Sequence, residues 1–592
     1  MRDVVLKVRD ILPRPQRQQA VGLFVVIAVV AVLEAAGVAS IVPFMMVVAN
    51  PQVLTQDGWL GKLYAWTGIG SESRFLILLG GAVFVVLLVS NALKAMRTWL
   101  INSYTQLTSY VLATRLIRAY LAQPYDYFLT RHTAELGKNV LAEVHHVVVG
   151  VIQPGMTVLA HSAVGIFLSA LLLISEPILA ISVVTVLGGT YALLYGGARL
   201  YLARTGQESF RANRERFHVA SEAFSGVKEV KLRGLEAAYV ARFAAPSMRY
   251  ARLQAANQTI SQVPRYGLEV IAFGGILLLV LYLLAVRQTL EDALPLIALY
   301  AFAGYRMLPI AQEIFAATAK MRFHRPALDL LHRDIADKST VVDKPHPVAP
   351  LPFSTSIALR GVDYRYPAGQ RPILHDINLE IRKGARVGFI GPTGAGKSTV
   401  VDLILGLLRP TAGTVLIDGV PLNSEETIRR WQCQIGYVPQ HIFLCDDTVL
   451  ANIAIGQSED TVDRKAAERA ARLAQLHEFI INELPQGYDT QVGERGIRLS
   501  GGQRQRLGLA RALYRDPAVL VFDEATSALD TDTEDAVMRA LDGLDANCTV
   551  IMIAHRLSTV RRCDVLFKLE TGRVVGSGSY EAVVGRIAVA TA

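Results

Sequence analysis

One short stretch of this chain has the residue types and spacing of a phosphate-binding loop. Residues 391–398 read Gly-Pro-Thr-Gly-Ala-Gly-Lys-Ser, which fits the pattern G-x-x-x-x-G-K-[ST] between an apolar strand and a helical run. In such a loop backbone N–H groups bind phosphates, Lys397 reaches the terminal phosphates, and the Ser398 hydroxyl ligates Mg²⁺. The residues predicted to bind nucleotide here are Gly391, Pro392, Thr393, Gly394, Ala395, Gly396, Lys397, Ser398 and Thr399.

Two further segments supply carboxylates and an anion-binding helix end. An apolar strand at residues 519–522 is followed by Asp523 and Glu524. Residues 499–503 read Leu-Ser-Gly-Gly-Gln, which places a hydroxyl and bare backbone N–H groups at a predicted helix N-terminus, where an anion is favoured. The residues of this second predicted contact with nucleotide are Ser500, Gly501, Gly502 and Gln503.

Together these segments resemble the ATP-binding cassette (ABC) family. The resemblance implies that ATP is the nucleotide, that Asp523 holds Mg²⁺ through water, and that Glu524 polarises the attacking water as general base. It also implies that Gln440 senses Mg²⁺ and that water, that His555 contacts the γ-phosphate, and that Tyr366 stacks on adenine. The resemblance therefore implies that this chain hydrolyses ATP and couples the hydrolysis to transport.

Composition indicates more than one domain, with at least one domain in lipid. The chain has 592 residues, of which 52% are hydrophobic, and a net charge of +9. Membrane proteins are commonly basic, and no Lys/Arg tract interleaved with aromatic residues is present, so a nucleic-acid partner is disfavoured. The four cysteines lie in the C-terminal half without a C-x-x-C pair, which favours a reducing cytosol over a zinc site or a disulfide framework.

The predicted fold is an α-helical membrane domain of six transmembrane helices with long cytosolic extensions, followed by an α/β P-loop ABC ATPase domain. The Lys and Arg residues concentrate in the loops after the second and fourth spans, which predicts cytosolic termini in an inner (plasma) membrane. A proline-rich linker is expected to separate the domains, because proline lacks the N–H that helices and strands need. The predicted bounds are 1–335 for the membrane domain, with spans at 20–48, 75–100, 147–174, 178–202, 262–286 and 294–318, then 336–356 for the linker and 357–592 for the ATPase domain.

The resemblance also bears on assembly. In the family, the Leu-Ser-Gly-Gly-Gln segment completes the ATP site of the opposing subunit, so a second copy of this chain is expected; a heterodimer with another half-transporter remains open. Residues 123–131 resemble the first coupling helix of ABC exporters, and residues 220–231 resemble the second. In that family these short helices rest on the ATPase domains and transmit their motion.

The N-terminal part most resembles the lipid-linked oligosaccharide flippases of the PglK type. The string at residues 34–44 is similar to their first span, and residues 59–66 are similar to their short external helix. This resemblance implies a polyprenyl-pyrophosphate-linked saccharide as substrate. The candidate substrate residues are Glu34, Arg265 and Arg306, because charges within spans usually face a cavity or a partner and guanidinium groups suit phosphate oxygens.

Several alternatives stay open at this stage. Arg306 could instead pair with Glu34 or Glu313, while Lys94 and Arg97 are expected to reach the cytosolic interface. The external helix could be a plain aromatic anchor. A general lipid or multidrug exporter is the main functional alternative, and a regulated channel on the same scaffold also fits the motifs. A DNA-maintenance ATPase and an importer are disfavoured by the order and fusion of the segments.

Overall fold

The structure is a computed structural model that divides into two compact units. One unit comprises Met1–Gln123 with Arg131–Val342, and the other comprises Pro124–Thr130 with Asp343–Ala592. The residues described are 2–49, 54, 58–69, 71–175, 177–287, 294–336, 349–367, 369, 371–493, 496–523, 539, 547–553 and 560–584. We call these the membrane unit and the ATPase unit.

Helices alone make up the secondary structure before residue 337, among the residues described there. They are α1 (Arg2–Ile11), α2 (Arg14–Ala39), α3 (Ile41–Ala49), α4 (Trp59–Thr67), α5 (Glu72–Leu121), α6 (Tyr125–Leu129), α7 (Thr133–Lys138), α8 (Val144–Val147), α9 (Gln153–Ser175), α10 (Pro177–Ser225), α11 (Val227–Leu232), α12 (Glu236–Arg287), α13 (Leu294–Phe323) and α14 (Arg325–Ala336). Two π-helical turns, Asn139–Glu143 and Val148–Ile152, join α7, α8 and α9.

The longest of these helices exceed the thickness of a bilayer. Helix α5 has 50 residues, α10 has 49 and α12 has 52. At about 1.5 Å per residue each is roughly 75 Å long, against about 30 Å of hydrocarbon. These helices are therefore long enough to extend beyond a bilayer; the cytosolic side of the extensions stays a prediction.

Three stretches in the described residues are long and apolar enough to cross a membrane. They are Arg14–Glu34, Glu72–Leu121 and Thr133–Ala170. All three contain or overlap spans predicted from the sequence. The predicted total of six spans stays a prediction, because side chains in parts of α9, α10, α12 and α13 lie outside the described part of the chain.

Buried polar groups join several of the long helices of the membrane unit near Lys138. Lys138 and Glu143 are 3% and 1% exposed, and their Nζ and Oε1 atoms lie 3.1 Å apart. Beside them the Asn139 amide donates to the Tyr120 hydroxyl (3.0 Å), which donates to the Asp334 carboxylate (2.7 Å). These contacts connect α5, the first π-helical turn and α14, so the extensions form one packed bundle.

The ATPase unit combines two sheets with short helices. After β1 (Ser356–Tyr364), β2 (Leu374–Arg382) and β3 (Arg386–Ile390) come α15 (Lys397–Ile404), β4 (Ala412–Ile417), β5 (Val420–Pro421), α16 (Glu425–Gln432), β6 (Ile435–Val438), α17 (Val449–Ile453), α18 (Arg464–Leu473), α19 (His477–Asn482), α20 (Gly501–Leu513), β7 (Val519–Asp523), β8 (Thr549–Ile553), β9 (Val565–Glu570) and β10 (Arg573–Gly578). Helix α6 belongs to this unit.

A parallel sheet forms the centre of the ATPase unit. Its strand order is β10-β9-β3-β8-β7-β6, and all pairs are parallel except that of β9 with β10. The central strands β7 and β8 are nearly continuous apolar runs, and β8 is buried along its whole length, as expected when both faces of a sheet are covered. The smaller antiparallel sheet has the order β2-β1-β4-β5.

Candidate functional site: an ATP-binding edge and an intramembrane ion cluster

The phosphate-binding loop connects β3 to α15. Gly391, Gly394 and Gly396 have φ values of +145°, +81° and +98°, which L side chains rarely adopt. A Cβ at Gly391 would lie 2.1 Å from the carbonyl oxygen of Leu569, whereas a Cβ at Gly394 would meet no described atom within 4 Å. The loop is therefore closely packed at Gly391 and open at Gly394, so its backbone has room for phosphate groups.

Lys397 is buried and turned towards the loop that it follows. Its Nζ donates to the carbonyl oxygens of Gly391 (2.8 Å) and Pro392 (3.0 Å). Both acceptors belong to the loop itself, so the ammonium group stays within reach of any phosphate that the loop binds. The residues thus fit a nucleoside triphosphate, which supplies the phosphoryl group for hydrolysis when bound.

The order of the parallel strands gathers the predicted ATP-site residues along one edge. The loop follows β3, Asp523 ends β7, and Gln440 comes two residues after β6. In the sequence His555 comes two residues after the end of β8, the strand that lies between β3 and β7, and Glu524 directly follows Asp523; both residues lie outside the described part of the chain. Parallel strands end at the same edge, so segments far apart in sequence converge there.

A second carboxylate lies near Asp523, and sequence reasoning missed it. Asp402, on α15, has its pKa raised to about 7 by burial and then by the charge of Asp523. The Tyr437 hydroxyl donates to Asp523 Oδ2 at 3.3 Å, and burial, followed by Asp523, raises the pKa of Tyr437. A carboxylic acid one turn beyond Ser398 in a helical run gave no motif signal; burial, followed by the charge of Asp523, raises its pKa.

Tyr366 lies at the edge of the phosphate-loop helix. Its hydroxyl is 3.3 Å from Thr399 Oγ1, and its ring meets that of Tyr364 edge-on with centroids 5.0 Å apart. Tyr125 of α6 interacts electrostatically with Tyr366, Asp402 and Asp523, and its pKa is raised, mainly by burial. The first predicted coupling helix therefore lies within the ATPase unit, close to the nucleotide-binding residues.

Ser500 is the N-cap of α20, and the Gly-Gly-Gln part of the Leu-Ser-Gly-Gly-Gln segment forms the first turn of that helix. Its side chain accepts from the Gln503 N–H (3.2 Å), and the Gln503 side chain accepts from the Ser500 N–H (2.7 Å). This capping box pre-forms the N-terminus of the 13-residue α20. A Cβ at Gly501 would meet no described atom within 4 Å, so the first turn presents open space to an anion.

Arg511 joins this helix to the segment after Gln440. Its guanidinium donates to the carbonyl oxygen of Phe443 (2.6 Å), to that of Asn452 (2.8 Å) and to Asn452 Oδ1 (3.1 Å). The Asn452 amide in turn donates to the carbonyl oxygens of Cys445 and Thr448. These hydrogen bonds connect α20 to the segment that follows Gln440, a connection that short motifs did not reveal.

In the membrane unit, Glu34 pairs with two cations of α5. Its Oε1 lies 3.0 Å from Lys94 Nζ, and its Oε2 lies 3.3 Å from Arg97 Nη1. The expectation that Arg97 reaches the cytosolic interface was wrong, because its side chain is only 10% exposed and its charge is compensated inside the helix bundle. Both oxygens of Glu34 are thus in contact with α5, which does not favour the alternative pairing of Glu34 with Arg306.

The other two predicted substrate residues do not join this cluster in the described part of the chain. Arg265 is largely exposed and donates to Glu269 Oε1 at 2.8 Å, one turn along the same helix. The side chain of Arg306 lies outside the described residues. Among the three predicted substrate residues, Glu34 is therefore the one that the structure places in a buried charge cluster.

Helix α4, predicted from the sequence to be a short external helix, turns one side towards the protein. Leu60 is buried, and Leu63 and Tyr64 pack with it against Phe75, whereas Trp59 and Trp66 are 62% and 84% exposed. The side of α4 that carries Leu60, Leu63 and Tyr64 therefore packs against the protein. The two tryptophans, seven residues apart and therefore on one side of the helix, form the exposed face.

Two family profiles match the chain. Residues 38–299 match the profile described as ABC transporter transmembrane region, and residues 374–527 match ABC transporter. The computed fold is similar to a structure of a bacterial Atm1-family ABC exporter with ATP bound, with a TM-score of 0.76, 24% identity and coverage of 96% of both chains.

Curated relatives match between 38% and 77% of this chain. The ATP-dependent lipid A-core flippase of Burkholderia orbicola (strain AU 1054) is 33% identical over 460 residues, covering 77% of this chain and 76% of that protein. The protein of the same description from Chromohalobacter salexigens is 36% identical over 373 residues, 61% of this chain and 62% of that protein. A putative multidrug export ATP-binding/permease protein of Staphylococcus aureus (strain NCTC 8325 / PS 47) is 44% identical over 225 residues, 38% of each chain.

The fused membrane and ATPase segments, the nucleotide-binding edge and these similarities lead to one conclusion. The chain belongs to the ABC transporter family, as a membrane-spanning exporter that couples ATP hydrolysis to transport.

Proposed function

We propose that this exporter is a flippase that moves a polyprenyl-pyrophosphate-linked oligosaccharide from the cytosolic to the outer leaflet of the inner membrane. The observation that carries this proposal is the position of Lys94 and Arg97, two cations held inside the helix bundle beside Glu34. Cations in hydrocarbon are costly and usually mark a substrate path, and guanidinium groups bind phosphate oxygens. A cavity for neutral drugs has no need of them.

The names of the long-matching relatives support a phosphorylated lipid as the substrate class. Both are described as lipid A-core flippases, which favours lipid A-core as the second candidate, ahead of a general lipid or multidrug exporter. A pyrophosphate-linked saccharide and a lipid A-core share phosphate and sugar on an apolar anchor. The exposed Trp59 and Trp66 fit a helix that lies at the membrane interface, where such a lipid arrives.

The transporter is proposed to work as a homodimer with cytosolic termini and six spans per chain. Lys397, Ser398 and Asp523 bind ATP and Mg²⁺ on one subunit, and Ser500 of the other completes the site. Glu524 acts as general base, Gln440 orients the attacking water, and His555 contacts the γ-phosphate. The capped helix end at Ser500 supports the second contact, since a Cβ at Gly501 would meet no described atom within 4 Å and a phosphate has room there.

Reconstitution in proteoliposomes tests the transport proposal. The appearance of lipid-linked glycan in the outer leaflet is followed by access of a membrane-impermeant glycosidase, with lipid A-core and a neutral hydrophobic drug as parallel substrates. ATP-dependent flipping of the pyrophosphate-linked glycan is the expected result. Movement of lipid A-core alone would transfer the assignment to the second candidate, and movement of the drug alone would refute both.

Two variants test the motor. Glu524→Gln is expected to bind ATP and stop turnover, because the attacking water loses its base, whereas Lys397→Ala is expected to lose tight ATP binding. Glu426→Gln, an exposed carboxylate on α16, is the matched control for charge. An ATPase rate of Glu524→Gln equal to that of this control would remove Glu524 from the role of general base.

A further inference from the structure

The helices that carry the Glu34 cluster are in close contact one turn away from it. A Cβ at Gly37 of α2 would lie 3.1 Å from both Cβ and Oγ of Ser90 on α5, so the two backbones approach closely there. Glu34 precedes Gly37 by about one helical turn, and Lys94 follows Ser90 by about one turn. The ion pairs therefore lie beside a close contact between α2 and α5.

Glu34 compensates two positive charges with one negative charge. The side chains of Glu34, Lys94 and Arg97 are 15%, 27% and 10% exposed, and each carboxylate oxygen of Glu34 contacts one cation. Lys94 has three N–H donors and Arg97 has five, so most of their donor capacity is not used by Glu34. The group carries a net positive charge and unused donors inside a membrane domain.

Two further helices contribute titratable side chains to the surroundings. His161 of α9 interacts electrostatically with Arg97, Glu313, Glu34 and Lys94. Glu313 of α13 is exposed, and within the described side chains it forms no ion pair with Lys94 or Arg97. Glu34 is thus the immediate counter-ion of both cations, and α2, α5, α9 and α13 all face this region.

We propose that Glu34 is an exchangeable counter-ion, which an anionic lipid headgroup replaces on Lys94 and Arg97. A buried cation without a counter-charge is strongly unfavourable, so Glu34 leaves Lys94 and Arg97 only when another anion takes its place. Phosphate oxygens meet this condition, because Arg97 can bind two of them through parallel N–H donors. In the transporter without substrate, the ion pairs of Glu34 link α2 to α5. Binding of the headgroup breaks this link. This inference rests on the proposed flippase function and adds the mechanism by which the headgroup is admitted.

The test compares ATPase stimulation by lipids that differ only in charge. Wild-type protein and Glu34→Gln are reconstituted in nanodiscs of zwitterionic lipid and titrated with a polyprenyl pyrophosphate or with the corresponding uncharged polyprenol. The variant removes the competing carboxylate, so the pyrophosphate concentration for half-maximal stimulation is expected to fall about tenfold, while the polyprenol response stays unchanged. Arg97→Gln is expected to abolish the response to the pyrophosphate. Glu72→Gln, an exposed carboxylate in the first turn of α5, is the matched control and is expected to behave as wild type.

The outcomes separate the counter-ion role from the flippase function. An unchanged or raised half-maximal concentration in Glu34→Gln, or an equal shift for the polyprenol, would overturn the counter-ion role while the response of the wild type still supported the flippase. The wild type is also titrated with a lipid A in the same nanodiscs. If it responds neither to the pyrophosphate nor to lipid A, both proposals fail. Should Glu34→Gln not fold, Glu34→Asp retains the charge but shortens the reach of the carboxylate, and the same shift, at smaller size, is required of it.

Discussion

Replacing Lys138 by methionine is expected to destabilise the membrane unit markedly. The Lys138 ammonium lies 3.1 Å from Glu143 Oε1 and 4.8 Å from the centroid of the Phe210 ring. The second oxygen of Glu143 lies 3.3 Å from His146 Nδ1, and the Asn213 amide donates to Oε1 at 3.4 Å. Methionine fills a similar volume but leaves the Glu143 carboxylate, which is 1% exposed, without its main counter-charge.

The magnitude follows from the burial of the pair. Removing one partner of a buried ion pair costs about 3–5 kcal/mol, since the remaining charge is desolvated and uncompensated. At about 2 °C per kcal/mol for a large domain, the apparent melting temperature is expected to fall by about 6–10 °C. The assay heats detergent-solubilised protein and measures the fraction that remains monodisperse by fluorescence-detected size-exclusion chromatography.

A matched control and a double variant complete this experiment. Lys231 forms an ion pair of similar length, 3.0 Å to Glu236, but on the surface, so Lys231→Met is expected to change the melting temperature little. Lys138→Met combined with Glu143→Leu is expected to recover most of the loss, because no buried charge remains. If Lys138→Met loses no more stability than Lys231→Met, the reasoning from burial is refuted.

Two further predictions concern other parts of the chain. The pKa of His324 is lowered to about 4, chiefly by burial and then by His146. Between about pH 6.5 and pH 4 the unfolded chain therefore binds one proton more than the folded chain at this residue. The contribution of neutral His324 to stability is complete above this window and is lost as the pH falls through it. Melting temperatures measured at about pH 5 and pH 7.5 should differ less in His324→Gln than in the wild type, and an equal difference would contradict this. Arg511→Met removes three hydrogen bonds between α20 and the segment of Phe443 and Asn452, and is expected to lower ATPase turnover about tenfold with ATP binding nearly retained, as checked by nucleotide titration alongside steady-state hydrolysis.

The predicted nucleotide-binding residues illustrate what local sequence can reveal. The conformation of the loop depends on glycines at 391, 394 and 396, and the capping box at Ser500 depends on a residue three positions away. Such features are decided by side chains within a few residues of one another. A sequence pattern therefore identifies them before any tertiary contact is known.

The charged residues of the membrane unit illustrate the opposite case. The charge of Arg97 is visible in the sequence, but its compensation by Glu34 depends on the crossing of α2 and α5 at Gly37 and Ser90. The general rule for a cation near a helix end predicted a route to the interface, and the crossing overrode it. The side of α4 that packs against Phe75 likewise depends on tertiary contacts, because helical spacing identifies an apolar face without saying what covers it.

The sequence by itself determined the family, the coupling of ATP hydrolysis to transport, and the residues expected at the nucleotide, because each of these depends on contiguous motifs and on hydrophobic runs. Tertiary structure alone decided that Lys138 and Glu143 are buried together, that Asp402 lies near Asp523, and that Glu34 bridges two cations. The physical reason is range: hydrogen bonds within a turn depend on neighbours in sequence, whereas the energy of a charge depends on every group that packing brings around it.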